Sequence, residues 1–217
     1  MHCTFKIFIR NEITQYKLLL LAPIIEQEVL KQDICKTIHE NHKKHFKYLT
    51  KLLNFETIDQ LFYNLRLFFR ASEHNFSPNK FHELCDGKGP TITIIRSTSK
   101  NLFGGYASIS WNLDQYSSAP GSFIFSLDKQ TKHTIYRNVD KAIGGWKTCG
   151  PMFGGGEGCD LALSDERYPK APNWGGLGGS YSLPEGISFN SEEGNSYFAG
   201  AYTFGVEEYE VFGVKMN

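Results

Sequence analysis

The sequence predicts an α+β protein, in which a two-sheet β-sandwich core with flanking helices follows a helical N-terminal segment. The first observation is the distribution of glycine: all 21 glycines lie after residue 76, and the preceding stretch is rich in Leu, Ile, Lys, Glu and Gln. A long glycine-free stretch of that composition is typical of helices. The second observation is a change in apolar spacing, from a helical period before Pro90 to alternation and short apolar runs after it. Such a change is typical of a transition to strands.

Apolar residues at helical spacing predict three helices, at residues 24–53, 58–69 and 77–84. Thr57 or Asn54 is suited to cap the second helix, because a short polar side chain can accept a hydrogen bond from the first free N–H groups. Ser77 followed by Pro78 indicates the start of the third helix, since proline fits the first helical position.

Short strands follow, separated by turn residues. They are predicted at residues 91–97, 102–111, 121–127, 133–137, 160–164 and 209–215, with a further short strand at residues 1–9. The glycine-rich segment 171–186 is predicted to be mostly loop. Many short strands at this spacing favour a sandwich or a strongly curved sheet with helices around it.

Composition excludes several classes of partner. Lys plus Arg and Asp plus Glu both number 23, so no net charge attracts nucleic acid or an anionic membrane. The apolar run at residues 18–21 is far shorter than the ~20 residues of a membrane helix. The five cysteines form no CxxC pair, which argues against a zinc ribbon. We expect an intracellular, cytoplasmic protein without a transmembrane segment, either free or associated with a membrane-bound or cytoskeletal complex.

Two glycine clusters, at residues 87–89 and 152–163, raise the question of nucleotide binding. A P-loop needs Gly-Lys followed by Ser or Thr, yet Lys88 is followed by Gly89 and Pro90. Neither cluster has the Gly-x-Gly-x-x-Gly spacing of a dinucleotide site. We therefore expect no cofactor, and we interpret the glycines as corners and bulges of a twisted sandwich.

Three histidines, His39, His42 and His45, follow one another at intervals of three, with Lys43 and Lys44 between the last two. Metal pairs on a helix favour a spacing of four, and the outer two histidines differ by about 120° around the helix axis. A solvated basic face is the simpler interpretation, and no metal site is expected.

Carboxylates offer two candidate acid/base sets: Asp160 with Glu210, or the cluster Glu207, Glu208 and Glu210. Alternation along the last strand places Glu208 and Glu210 on one face and Val211 on the other. The simpler interpretation of the cluster is an acidic sheet edge that resists edge-to-edge aggregation.

Two further side chains are candidates for function. Cys85 is a candidate redox thiol, although the adjacent Asp86 raises a thiol pKa and so opposes reactivity. Trp174, in the glycine-rich segment, is a candidate exposed interaction anchor, with core packing as the alternative. No Gly-x-Ser-x-Gly or cysteine-protease signature indicates a catalytic nucleophile.

The order of motifs resembles the TLDc family, and its protist versions in particular. The motifs are LRLFFRASEHNFSPNKFHELCDGKGPTITIIRS, LFGGYASISW, GSFIFSL, GPMFGGGEGCDLALS and YEVFGVK. The resemblance covers about residues 55–217, which predicts a TLDc domain there and a helical N-terminal extension at residues 1–54. One departure is Phe212, which stands where many members have tryptophan, and we expect no companion domain such as LysM, TBC or kelch.

The resemblance implies an α+β domain built around a two-sheet β-sandwich. It also implies an association with oxidative-stress resistance and, for several members, with binding and regulating the vacuolar proton ATPase. Acidic residues matter in the family, and the matching positions are Asp160 in GGGEGCDL and Glu210 in YEVFG.

Three functional hypotheses follow. The first is a non-catalytic protein-interaction module that binds a large assembly, such as the vacuolar proton ATPase, or is a structural part of a cytoskeletal or ciliary assembly. The second is a redox-protective enzyme or sensor that uses Cys85, Cys149 or Cys159. The third is a hydrolase that uses Asp160 and Glu210. The sequence favours the first, because it shows no nucleophile–base signature, no cofactor loop and no evident small-molecule substrate.

Overall fold

A computed structural model describes residues 37–38, 43–112, 114–164 and 173–215 of the chain. The predicted strand at residues 1–9, most of the first predicted helix before residue 43, and the side chains of His39 and His42 lie outside the described residues.

The described helices are α1 Lys43–Leu52, α2 Ile58–Asn64, α3 Pro78–Cys85 and α4 Glu192–Ser196. Thr57 caps α2, because its side chain accepts a hydrogen bond from the backbone N–H of Gln60. Ser77 does the same for α3 through Lys80, with Pro78 at the first helical position. Both predicted caps are confirmed, and each satisfies an N–H group that the helix leaves free.

In the described residues, twelve strands form two antiparallel sheets. They are β1 Leu65–Arg70, β2 Thr91–Ser97, β3 Leu102–Ala107, β4 Tyr116–Ser117, β5 Phe123–Ser126, β6 Thr131–Thr134, β7 Ile143–Gly144, β8 Cys149–Phe153, β9 Leu161–Ser164, β10 Asn173–Gly175, β11 Thr203–Phe204 and β12 Val206–Val214. Sheet 1 has the order β1-β12-β2-β3-β5-β6, and sheet 2 has the order β11-β10-β9-β8-β7-β4. The predicted α+β class with a two-sheet core is confirmed.

The sheets pack face to face around an inter-sheet core. Phe69, Phe103 and Val211 enter it from sheet 1, and Phe153 and Leu163 enter it from sheet 2. Burying each phenylalanine contributes about 1.5–3 kcal/mol, so this core supplies much of the stabilisation. Helix α3 closes one end of it.

A second cluster, the helix-side core, lies on the opposite face of sheet 1. Phe46 and Leu49 of α1 and Leu61 of α2 pack there against Ile94 and Phe212 of sheet 1. The described residues therefore form three layers: sheet 2, sheet 1, and the pair α1 and α2.

The predicted helix at residues 58–69 is wrong in its second half. Helix α2 ends at Asn64, and β1 begins at the next residue as an edge strand paired with β12. Strand β1 sends Leu65 to the helix-side core and Phe69 to the inter-sheet core. The run LRLFFR fits a strand because aromatic side chains pack well on a pleated surface. Pairing with a distant strand here outweighs the helical spacing.

The predicted loop at residues 171–186 contains a strand, since β10 pairs with both β9 and β11. The glycine-rich corner predicted for PMFGGGEG, residues 151–158, begins inside a strand, since β8 covers Cys149–Phe153. Their ladders are short and rich in glycine, which weakens the alternation by which a strand is recognised.

Candidate functional site

Glu210 and Arg70 form a buried ion pair on the helix side of sheet 1. They lie opposite each other in the β1–β12 ladder, and Arg70 Nε donates to Glu210 Oε1 at 2.6 Å. Both side chains are almost wholly buried. Arg70 Nη1 also donates to Glu73 at 2.6 Å. Breaking such a pair by removing one partner is strongly destabilising, because it leaves an uncompensated buried charge.

The glutamates of β12 were interpreted from the sequence as an acidic sheet edge, and this interpretation is wrong. Strand β12 lies between β1 and β2, and Glu208 and Glu210 are both buried. Glu208 accepts hydrogen bonds from the backbone N–H and the hydroxyl of Ser72. The carboxylates are tolerated inside because partners from β1 and the following turn satisfy them.

A residue from the N-terminal segment completes this cluster. The hydroxyl of Thr37 donates to Glu210 Oε2, and Arg96 Nη1 donates to the Thr37 carbonyl at 3.0 Å. The adjacent Ile38 is buried in the helix-side core. Burial raises the pKa of the Glu210 carboxyl, while Thr37 and Arg70 act to lower it. Both carboxylate oxygens are thus engaged by protein groups.

Asp160 lies at the corner between β8 and β9, where it clamps the segment after β10. Its carboxylate accepts hydrogen bonds from four successive backbone N–H groups, at distances from 2.6 to 3.4 Å; the donors are Gly178, Gly179, Ser180 and Tyr181. Burial raises the pKa of Asp160 to about 7, and these four bonds oppose that rise. The side chain is fully buried.

Glycine is required around Asp160 because the backbone approaches the carboxylate closely. Gly154 has φ +81°, and a Cβ atom there would lie 2.0 Å from Asp160 Oδ2. A Cβ on Gly179 would lie 2.9 Å from the same oxygen. This part of the second glycine cluster therefore encloses the chain's own carboxylate, which supports the structural interpretation of these glycines.

The structure does not bring Asp160 and Glu210 together. Glu210 lies on the helix side of sheet 1, whereas Asp160 lies at a corner of sheet 2, across the inter-sheet core. A general acid and base must both reach one reacting group. Each carboxylate instead holds separate parts of the fold, and the geometry gives no support to a paired-carboxylate hydrolase.

Cys85 lies at the end of α3 and is fully buried in the inter-sheet core. Burial, with a smaller contribution from Asp86, raises the pKa of its thiol far above the ordinary value. Burial also raises the pKa of Cys149, and that of Cys159 to about 12. Because the thiolate is the reactive form, these environments disfavour nucleophilic chemistry at neutral pH. Cys3 and Cys35 lie outside the described residues.

Trp174 belongs to β10 rather than to a loop, opposite Ala162 of β9 and Thr203 of β11. Its side chain is half-buried, so part of the indole remains accessible to a partner.

The prediction that His45 lies on a solvated basic face is wrong. The His45 side chain is 1 % exposed, and its Nε2 lies 3.4 Å from Asp128 Oδ1. The reason is that α1 turns this side toward sheet 1, with Phe46 beside it in the helix-side core. Among the described residues, no three His, Cys, Asp or Glu side chains converge in a way that could hold a metal ion.

The predicted acidic positions did not include their cations: Arg70 pairs with Glu210, and Arg96 pairs with Glu207. Arg70 directly follows the helix predicted at residues 58–69 and is the last residue of β1. Read as a strand, LRLFFR would have placed a charged residue at the end of an apolar run, which is the signal for a buried ion pair.

A family model described as TLDc domain matches residues 40–215. The chain belongs to the TLDc domain family. The resemblance drawn from the motifs is confirmed, and membership indicates a protein-interaction or oxidative-stress-related role. The matched range includes α1 and begins after Thr37. The boundary at residue 54, between an N-terminal extension and the domain, stays a prediction. In the described parts of this TLDc protein, no helix has the length and apolar character needed to cross a bilayer.

Proposed function

We propose that this TLDc domain is a non-catalytic interaction module that binds a large protein assembly. The vacuolar proton ATPase is the first candidate assembly, and a cytoskeletal or ciliary structure is the second. The observation that carries the proposal is that both motif-matching carboxylates, Asp160 and Glu210, are buried and satisfied by the chain's own groups. These carboxylates stabilise the fold, and the exposed surface of the domain is the part that can contact a partner.

Exposed aromatic side chains support this proposal. Tyr63 is 64 % exposed, Tyr136 is 50 % exposed and Tyr202 is 44 % exposed, and Trp174 is partly accessible. Tyrosine and tryptophan are enriched in the buried centres of protein interfaces, since each offers a large contact area at low entropic cost.

The test is affinity purification of the tagged full-length protein from its own cells under gentle conditions. Co-recovery of vacuolar proton ATPase subunits would support the first candidate, and co-recovery of axonemal or cytoskeletal proteins would support the second. A parallel protein lacking residues 1–36 keeps Thr37 and Ile38, which contact the domain. Recovery of no large assembly with either protein would overturn the proposal.

The alternative of a reactive cysteine is tested by alkylation. We expect iodoacetamide to modify Cys85 in the folded protein far more slowly than free cysteine at neutral pH, because its thiol is buried and protonated. Mass spectrometry of the native and the denaturant-unfolded protein gives the two rates. A thiol that reacts faster in the native protein than free cysteine would restore the redox hypothesis.

A further inference from the structure

A basic concavity lies at one end of sheet 1, where β1 begins and β12 ends. It is a shallow site of about 390 Å³, and its lining residues include Tyr63, Arg66, Phe68, Lys88 and Lys215. Phe68 packs over Gly213, where a Cβ atom would lie 2.2 Å from the phenyl ring. The floor is therefore partly apolar and its rim carries the cations. We call this site the basic concavity.

The three cations of the basic concavity come from separate elements. Arg66 belongs to β1, Lys88 to the loop before β2, and Lys215 follows β12. All three side chains are exposed, and no carboxylate is among the lining residues. Like charges gathered from three elements repel one another, so an anionic ligand would be attracted there.

Among the described residues, other surface cations form ion pairs, in contrast to the cations of the basic concavity. Lys80 pairs with Glu83, Lys100 pairs with Glu207, and Arg137 pairs with Glu157. Within the described parts of the chain, none of the cations of the basic concavity has such a pair. The chain as a whole has equal numbers of acidic and basic residues, so the local excess of positive charge does not follow from composition.

The backbone of the adjoining loop argues against a site for free phosphate. The N–H of Gly89 donates to Ser110 Oγ at 2.7 Å, and the N–H groups of Gly87 and Lys88 donate to carbonyls of Trp111 and Cys85 at 3.4 Å. Phosphate sites in proteins gather free backbone N–H groups. Here the loop amides are used internally, and only side chains remain to recognise an anion.

A strand edge adjoins the basic concavity. Among the described strands, β1 is one of the two edges of sheet 1 and pairs only with β12. At its far end, His74 Nδ1 lies 2.8 Å from the Arg70 carbonyl oxygen. The half that contains Arg66 borders the concavity, with Tyr63 exposed beside it. An exposed edge is a template for an added strand, and neighbouring side chains then select its sequence.

We propose that the basic concavity binds an acidic segment of a protein partner in an extended conformation along β1. Carboxylates of that segment pair with Arg66, Lys88 and Lys215, and an apolar side chain between them contacts Tyr63 and Phe68. The inference rests on the proposed function, since it names the part of the domain that contacts the assembly and the chemistry of the segment that it takes.

Fluorescence anisotropy with the full-length protein tests the inference. The probe is a labelled peptide of about twelve residues in which Glu alternates with Val and Thr, and the control probe has Gln for every Glu. The variant is Arg66→Gln with Lys88→Gln and Lys215→Gln. The matched control is Lys43→Gln with Lys47→Gln and Lys51→Gln, which removes the same charge from the exposed side of α1.

We expect the first variant to weaken binding of the Glu peptide by about ten-fold and the control variant by less than about two-fold. The Gln peptide should bind wild-type protein about ten-fold more weakly, and added salt should remove the difference. Equal loss in both variants, or equal binding of both peptides, would overturn the inference. So would competition by inorganic phosphate at low millimolar concentration, or binding of anionic phosphatidylserine vesicles without binding of the peptide.

Affinity purification with the same variants separates the two proposals. Loss of the assembly with the first variant but not with the control supports the inference. Full recovery with both variants would overturn the inference and leave the proposed function standing. Recovery of no assembly with wild-type protein would overturn the proposed function, and the peptide measurement would then decide the chemistry of the basic concavity by itself.

Discussion

At the scale of single residues, Arg70 has two roles. It neutralises Glu210 inside the sheet, and its Nη1 holds Glu73 at the start of the following turn. We expect Arg70→Met to lower the free energy of unfolding by about 3–5 kcal/mol, because Glu210 is left buried without its cation. Denaturant unfolding followed by circular dichroism gives this quantity.

Arg66 offers the matched control, since it lies on the same strand with an exposed side chain. Arg66→Met should change the free energy of unfolding by less than about 0.5 kcal/mol. Adding Glu210→Leu to Arg70→Met should recover part of the loss, because the unpaired charge is then removed. Equal effects of Arg70→Met and Arg66→Met would show that the buried pair does not hold β1 in place.

Asp160 is the second residue whose effect is structural. Asp160→Ala leaves four backbone N–H groups without their acceptor, and we expect a loss of about 3 kcal/mol or more in the free energy of unfolding. Asp160→Asn keeps one acceptor oxygen and should cost less. Glu157→Ala, at an exposed carboxylate on the same corner, is the control. If Asp160→Ala lowers the free energy of unfolding no more than Glu157→Ala does, the hydrogen bonds of Asp160 do not stabilise this corner.

At the scale of elements, β3 has two adjacent glycines where side chains would collide, and Gly105 is the one that faces the inter-sheet core. A Cβ on Gly105 would lie 2.5 Å from Cζ of Phe153. We expect Gly105→Ala to lower the free energy of unfolding by about 1–3 kcal/mol through overpacking, measured by denaturant unfolding. Adding Phe153→Leu should relieve part of the strain. Gly175→Ala in β10, where the nearest atom is 3.2 Å away, should cost less, and the reverse order would contradict this explanation.

Elements set by local chemistry could be predicted from the sequence, whereas elements set by distant pairing could not. Thr57 and Ser77 cap helices through bonds to residues three positions away, so the local pattern was sufficient. Strand β1 was read as helix because its apolar spacing suits both structures, and its partner β12 lies 140 residues further along the chain at Arg70 and Glu210. Tertiary pairing decides such segments.

At the scale of the whole molecule, the sequence identified candidate residues but not the surroundings that the fold gives them. Asp160 and Glu210 stood out because they match family motifs, but their burial follows from three layers that no local pattern shows. The basic concavity combines Arg66, Lys88 and Lys215 from elements that meet only in the folded sheet. The grouping of these three cations can be recognised only once the strand order is known.

His133 links the stability of the whole molecule to pH. It is 3 % exposed in β6; its Nδ1 lies 2.8 Å from the Ser182 carbonyl oxygen and its Nε2 lies 3.0 Å from Thr131 Oγ1. Burial lowers its pKa below the ordinary 6.5, and Lys129 adds to that effect. The unfolded chain therefore binds a proton at a higher pH than the folded protein does, so stability falls as the pH falls below about 6.5.

The whole-molecule measurement is the free energy of unfolding from pH 7.5 to pH 5, compared between wild type and His133→Leu. We expect the stability of wild type to fall relative to the variant as the pH is lowered, by at most about 1.4 kcal/mol per pH unit. The raised pKa values of Asp160 and Glu210 have the opposite sign, since their contributions fall as the pH rises. Both proteins share those carboxyls, so the difference isolates His133. Parallel curves would mean that His133 holds its proton equally in the folded and unfolded states, in conflict with a ring held neutral by burial.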